Sequence, residues 1–300
     1  MNSALKLIGQ QKKALFGLVI ICTLCLMAIF APIIAPGAPS ARVGRSHQPP
    51  TIEHVLGTTK MGRDVYTQFV WGARTSIAVG FATGIAITVV GTVIGLVAGY
   101  VGGRTDAVLD LATNAVLVIP NIPLLILLAS FAGTVGPMAI MTIISLTSWP
   151  WGARMTRSQT LALRSRDFVT AAKMIGEPRW RIIFVELLPN LLPLIGINLV
   201  GSIIYAIVAQ TTLEYLGFGD PLQVSWGTML YNAQNSSAII VGAWWDIATP
   251  AAGIALIGLG LALVNFTFDE IANPQLRSGP ALSRWLRLNR TRNRQLEATR

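Results

Sequence analysis

Six apolar runs divide the chain, at Ala14 to Ile34, Thr75 to Val101, Ala107 to Ala132, Pro137 to Gly152, Leu191 to Leu213 and Ile247 to Phe268. All but the short fourth run come near the roughly 20 residues that cross a hydrocarbon core. Together they predict an all-α membrane protein with six transmembrane helices. The first run follows Lys6, Lys12 and Lys13 and precedes a small-residue stretch from Ala31 to Pro39, an outline shared with signal peptides. Its 21-residue length exceeds the roughly 7 to 15 of a signal h-region, which predicts a retained anchor. The expected organisation is a cytoplasmic N-terminus (1–13), a first transmembrane helix (14–34), an external segment (35–74), a five-helix core (75–268) with a cytoplasmic loop at 153–190, and a basic cytoplasmic tail (269–300).

Composition narrows the function. Of 300 residues, 53% are hydrophobic and 12% charged, and the mean hydropathy is +0.59, against about 25% charged in soluble domains. So few charges exclude a soluble enzyme, and so apolar a chain excludes disorder. The formal charge of +10 is distributed unevenly. One side of a six-span chain carries Lys6, Lys12, Lys13, Arg104, seven basic residues from Arg154 to Arg181 and seven from Arg277 to Arg300, 18 in all. The other side carries five, Arg42, Arg45, Lys60, Arg63 and Arg74. The positive-inside rule places both termini and the 153–190 loop in the cytoplasm. The charge therefore reports topology and attraction to the lipid bilayer, and no nucleic acid is expected as a partner. Cys22 and Cys25 lie within the first apolar run and read as small buried hydrophobes.

The chain lacks a motor of its own. There is no phosphate loop of the G-x-x-x-x-G-K-[ST] type. The spans are almost free of the ionisable groups that ion-coupled carriers place in the membrane: Asp110 and Asp269 sit near span ends, and His47 and His54 are external. With no H-E-x-x-H and no pair of mid-membrane aspartates, no catalytic residue and no metal site is expected.

Neutral polar residues remain as candidates for a path. Asn198, Ser202, Tyr205 and Thr212 share one face of the fifth span, and Gln210 lies on the same span. The third span offers Asn114 and Asn121, with Pro120 and Pro123 placed to kink it. Interhelical hydrogen bonding is the alternative role for all of them. Gly91, Gly95 and Gly99 recur every fourth residue and predict a close helix contact. Trp226, Trp244 and Trp245 lie in the external stretch from Glu214 to Asp246, where they suit an interfacial belt, a gate or a docking surface. Asn235-Ser-Ser and Asn265-Phe-Thr match the glycosylation sequon, a pattern common by chance.

The cytoplasmic loop is the most informative stretch. Arg166 to Ile175 reads as a short helix ended by Gly176. Glu177-Pro178 then opens a second helix that carries Trp180 to Leu188 and stops at Pro189. Such a knob suits a groove in another protein.

Ala171-Ala172, Gly176 and Leu188-Pro189 resemble the E-A-A-x-x-x-G-x9-I-x-L-P coupling motif of ABC importer permeases, with Thr170 in place of its Glu and Glu186 in place of its Ile. His54-Val-Leu-Gly-Thr, Gly62-Arg-Asp, Gly72-Ala-Arg-Thr-Ser, Gly99-Tyr-Val-Gly-Gly, Leu216-Gly-Phe-Gly and Ser225-Trp-Gly-Thr-Met-Leu follow in the order seen in the C-type permease subunit of the dipeptide and oligopeptide importers. The resemblance runs from about His54 to Leu276. It implies a type I ABC importer transmembrane domain in the inner membrane of a prokaryote. The implied partners are a second homologous permease, two cytoplasmic ATPases carrying the ATP and Mg, and an extracytoplasmic solute-binding protein. The residues implied to couple are Phe168, Thr170, Ala171, Ala172, Gly176, Glu177, Arg179, Leu188 and Pro189. No cofactor is implied for this chain. Thr59 stands where the family usually has Asp, Gln210 where many peptide transporters have Glu, and the ending Phe268 to Arg277 is more like that of oligosaccharide transporters. Peptide and oligosaccharide import both remain open on this reading, with a stand-alone channel or secondary carrier as the alternative of another class.

Overall fold

The computed structural model describes residues 12–272. Residues 1–11 and 273–300, with most of the expected cytoplasmic ends, lie outside the described residues. Eleven α-helices are formed among those described: α1 Lys12–Ile29, α2 Ala31–Ile34, α3 Val65–Val101, α4 Gly103–Val118, α5 Asn121–Ala132, α6 Pro137–Arg164, α7 Asp167–Met174, α8 Arg179–Arg181, α9 Leu188–Tyr215, α10 Trp226–Asn235 and α11 Trp245–Ala272. A π-helical turn, Ile182–Leu187, joins α8 to α9. Three helical stretches are long and apolar enough to cross a membrane, Val65–Val101, Arg179–Tyr215 and Trp245–Thr267. A fourth arises if the bent pair α4 and α5 counts as one span, and Lys13–Ile29 is a shorter apolar helix.

Helix α3 is the centre of the bundle. It packs most extensively on α6, then on α9, while α1 lies along α11. Hydrophobic matching cannot explain so close a contact in lipid, where the tails are as apolar as the side chains, so backbone proximity must. A Cβ on Gly95 would lie 2.5 Å from the Ala153 carbonyl oxygen, and one on Gly99 2.7 Å from Thr160 Cβ. On the α9 side, a Cβ on Gly84 would lie 2.7 Å from Ile203 Cα. The glycine spacing that predicts a packing seam thus describes contacts with two successive partners.

Several boundaries differ from the hydropathy reading, each for a local reason. The second span begins at Val65 rather than Thr75, because the Asp64 carboxylate caps the helix by accepting the Thr67 N–H at 2.8 Å. The stretch expected to be external, 35–74, thus ends in ten residues of helix. The third run is two helices meeting at 87°. Pro120 removes a backbone donor and disfavours a helical conformation for Ile119, whose ψ is 126°. The fourth run continues as helix from Gly152 to Arg164, where the residues turn amphipathic without losing helical preference.

Pro189 does not stop the second loop helix as expected. The π turn before it shifts the ladder, so that the Leu188 N–H donates to Ile183 O, five residues back. A widened turn accommodates a residue with no N–H of its own, and the helix runs on to Tyr215. The loop proper therefore shrinks from 153–190 to the short stretch around α7. A leucine at Gly95 should lower stability by about 1 to 3 kcal/mol or more. The same change at Gly258, whose Cβ position meets nothing within 4 Å, should be tolerated; thermal unfolding of the two variants in detergent is the check.

Candidate functional site

A cavity of about 610 Å³ lies where the α4–α5 bend meets α3, α6, α9 and α11. The break at Pro120 swings Asn121 into its wall. The Tyr205 hydroxyl donates to Asn121 Oδ1, and Asn121 Nδ2 reaches the Thr147 carbonyl at 3.4 Å. Asn198, Ser202 and Ser148 line the same space, and Asn265 enters from α11 with its side-chain oxygen buried and unpartnered. No side chain of Asp, Glu, Lys or Arg lines the cavity. Such a surface can exchange hydrogen bonds with a polar solute without holding it by charge.

The knob stands at one end of the bundle. Helix α7 ends in a Schellman arrangement: the Gly176 N–H donates to Lys173 O and the Glu177 N–H to Ala172 O, both at 3.1 Å. Gly176 has φ of +80°, which a residue with a Cβ adopts only at a cost. Val169 and Ala172 are buried against Leu96, Tyr100, Ile182, Leu187 and Leu191, so the knob is fixed to the ends of α3 and α9. Thr170, Ala171, Gly176 and Arg179 remain exposed, as do Phe168, Met174, Ile175 and Trp180. Glu177 pairs with Arg181 across one turn.

The predicted residues divide accordingly. Asn121, Asn198, Ser202 and Tyr205 come together at the cavity; Asn114 and Gln210 do not. Asn114 belongs to an α4–α6 network in which Arg154 donates to its side-chain oxygen at 2.6 Å and Arg157 holds Asp106 in a bidentate pair at 2.6 and 2.9 Å. Gln210 is buried and donates to Glu214 at 2.9 Å; that carboxylate also accepts Ser225 Oγ at 2.6 Å. Ala172 faces inward as an anchor, not outward beside Ala171, because adjacent residues on a helix point about 100° apart. Leu188 is half-buried and Pro189 exposed on the helix that follows the π turn.

Of the three tryptophans, only Trp244 is well exposed. Trp226 is fully buried, stacks on Phe69 at 5.7 Å and donates to Phe69 O. Trp245 is 8% exposed and donates to Thr58 O at 3.2 Å, clamping the segment before α3. Both indoles are committed to contacts inside the chain. Sequence reasoning missed Ser148 and Asn265 among the polar cavity residues, and Asn265 is the one with a legible signal. Its signal is an amide inside an apolar helix, which the sequon pattern around it obscures.

Comparison with known proteins agrees with this architecture. Residues 91–278 match the family of binding-protein-dependent transport system inner membrane components. Residues 4–50 match the N-terminal transmembrane domain of oligopeptide transport permease C. A dipeptide transport system permease of Alkalihalophilus pseudofirmus is 33% identical over 92% of this chain and 90% of its own length. An oligopeptide transport system permease of Bacillus subtilis is 31% identical over 89% and 87% respectively. With more than half of its length matched and relatives covered nearly end to end, the chain belongs to the family of inner-membrane components of binding-protein-dependent transport systems.

Proposed function

We propose that this chain is the permease subunit of an ATP-driven importer of peptides, spanning the inner membrane six times with both termini in the cytoplasm. The single observation that carries the coupling mechanism is the continuity of the helix from Arg179 to Tyr215. One end is bonded into the knob through Ile182 and Leu187, and its middle supplies Asn198, Ser202 and Tyr205 to the cavity. A push on the knob is therefore a displacement of the cavity wall. The force comes from two partner ATPases, which hold the ATP and Mg and close around the exposed face of Ala171 and Gly176. A second permease completes the channel, and an external binding protein delivers solute.

Charge placement supports the orientation: the basic residues from Arg154 to Arg181 gather at the knob end. Neutral hydrogen-bonding groups in the cavity suit the amides of a peptide, and the relatives named as dipeptide and oligopeptide permeases favour that solute over an oligosaccharide.

Gly176→Val should abolish uptake and binding-protein-stimulated ATP hydrolysis while leaving insertion intact. The Cβ position there is open, and the change costs only about 1 to 2 kcal/mol of backbone strain. Survival of both activities would exclude the coupling role. Cysteines at Asn198 and Ser202 should react with water-soluble thiol reagents in at least one state of the ATPase cycle, and full protection in every state would remove them from the path.

A further inference from the structure

A second cavity, of about 390 Å³, opens at the end of the bundle opposite the knob. It lies between the segment preceding α3, the first turn of α3, the end of α10 and the start of α11. Its wall includes Lys60, Arg63, Gln68, Asn232, Asn235 and Asp246. A pocket this size falls within the usual range for small-molecule sites, about 300 to 1,000 Å³.

Asp246 is the unusual member. It is only 3% exposed, yet among the described residues its carboxyl group takes part in no hydrogen bond and no ion pair. Its oxygens are not sealed off, and the little exposure they keep opens on this cavity; a carboxyl stripped of most of its water with no protein partner is costly. The start of α11 offers it some relief through the helix dipole, but that effect is small beside the loss of hydration.

Arg63 is half-buried and lines the same space, and its guanidinium also makes no ion pair among the described residues. Opposite charges that share a small cavity ordinarily close on one another. Here no ion pair closes between them, and the segments that carry them are tied down by side-chain hydrogen bonds. Trp245 donates to Thr58 O at 3.2 Å, Gln68 Nε2 to Pro39 O at 3.0 Å, and the Arg63 N–H to Thr59 Oγ1 at 3.2 Å. A gap with an acceptor on one wall and cations on another fits a molecule that carries both charges.

We propose that this outer cavity binds the two termini of a short zwitterionic peptide, with Asp246 taking the ammonium group and Arg63, assisted by Lys60, taking the carboxylate. Asn232 and Asn235 are placed to meet the amide between them. The site deepens the peptide-import reading and rests on it. It provides a station for solute outside the neutral cavity, where the termini are read before the path is entered.

The test uses the complete transporter in lipid nanodiscs without its binding protein, with Ala-Ala, N-acetyl-Ala-Ala and Ala-Ala amide as probes and calorimetric Kd as readout. Asp246→Asn and Arg63→Gln should each weaken Ala-Ala binding about tenfold or more, as expected when a charge-assisted bond is lost. The acetylated peptide should bind wild type and Asp246→Asn alike, and the amide should bind wild type and Arg63→Gln alike. Misfolding cannot produce that crossed pattern. Unchanged Ala-Ala binding in Asp246→Asn, no measurable binding to wild type, or equal losses for free and capped peptides would overturn the proposal. So would peptide binding unchanged in both variants while docking of the binding protein, measured in a separate titration, is lost, which would make the cavity a protein contact. Uptake separates the two readings: Ala-Ala bound in the crossed pattern but never transported refutes peptide import and leaves the site. Ala-Ala transported with binding indifferent to Asp246 refutes the site and leaves peptide import.

Discussion

The bundle depends on the absence of side chains along α3. In lipid, two helices gain nothing from hiding apolar surface from water, so they associate only as closely as their backbones allow. Gly91, Gly95 and Gly99 let α6 approach until Ala153 and Thr160 occupy the space that Cβ atoms would fill, and Gly80 and Gly84 do the same for α9. With both neighbours drawn in, the Asp106–Arg157 pair can form between α4 and α6, and the wall of the neutral cavity closes. Wider spacing would pull that bidentate pair apart.

Much of the architecture is legible in the residues. Hydropathy locates the apolar stretches, Pro120 announces the bend, and Gly176 marks the turn of the knob. Hydropathy does not see hydrogen-bond geometry, and the departures fall where that decides. Asp64 starts a helix ten residues before its apolar core because of a cap. Pro189 fails to end one because a π turn precedes it. Trp226 and Trp245 look like interface residues by type, but their indole N–H groups donate to carbonyls of distant segments.

The candidate sites show the same division. Phase along the fifth span brings Asn198, Ser202 and Tyr205 correctly to one face. Gln210 and Asn114 are polar residues of the same kind, but Gln210 meets Glu214 one helical turn on, and Asn114 meets Arg154 from another helix, a contact that no periodicity reveals. The sequence does not distinguish Asn265 and Asp246 for the opposite reason: their surroundings come from elements far apart in the chain. Unpaired burial is a property of the folded chain, not of the pattern.

The bend at Pro120 has an electrical consequence. Helix α5 starts with no side-chain cap, leaving first-turn N–H groups to be satisfied. Lipid cannot satisfy them, and irregular backbone at membrane depth is tolerated only beside protein or water. The break borders the neutral cavity, and water filling that cavity would satisfy them. The low-dielectric barrier is then thinner at this point than the surrounding bilayer. The membrane potential would then fall across the remaining seal instead of the full hydrocarbon width, which steepens the local field at the bend.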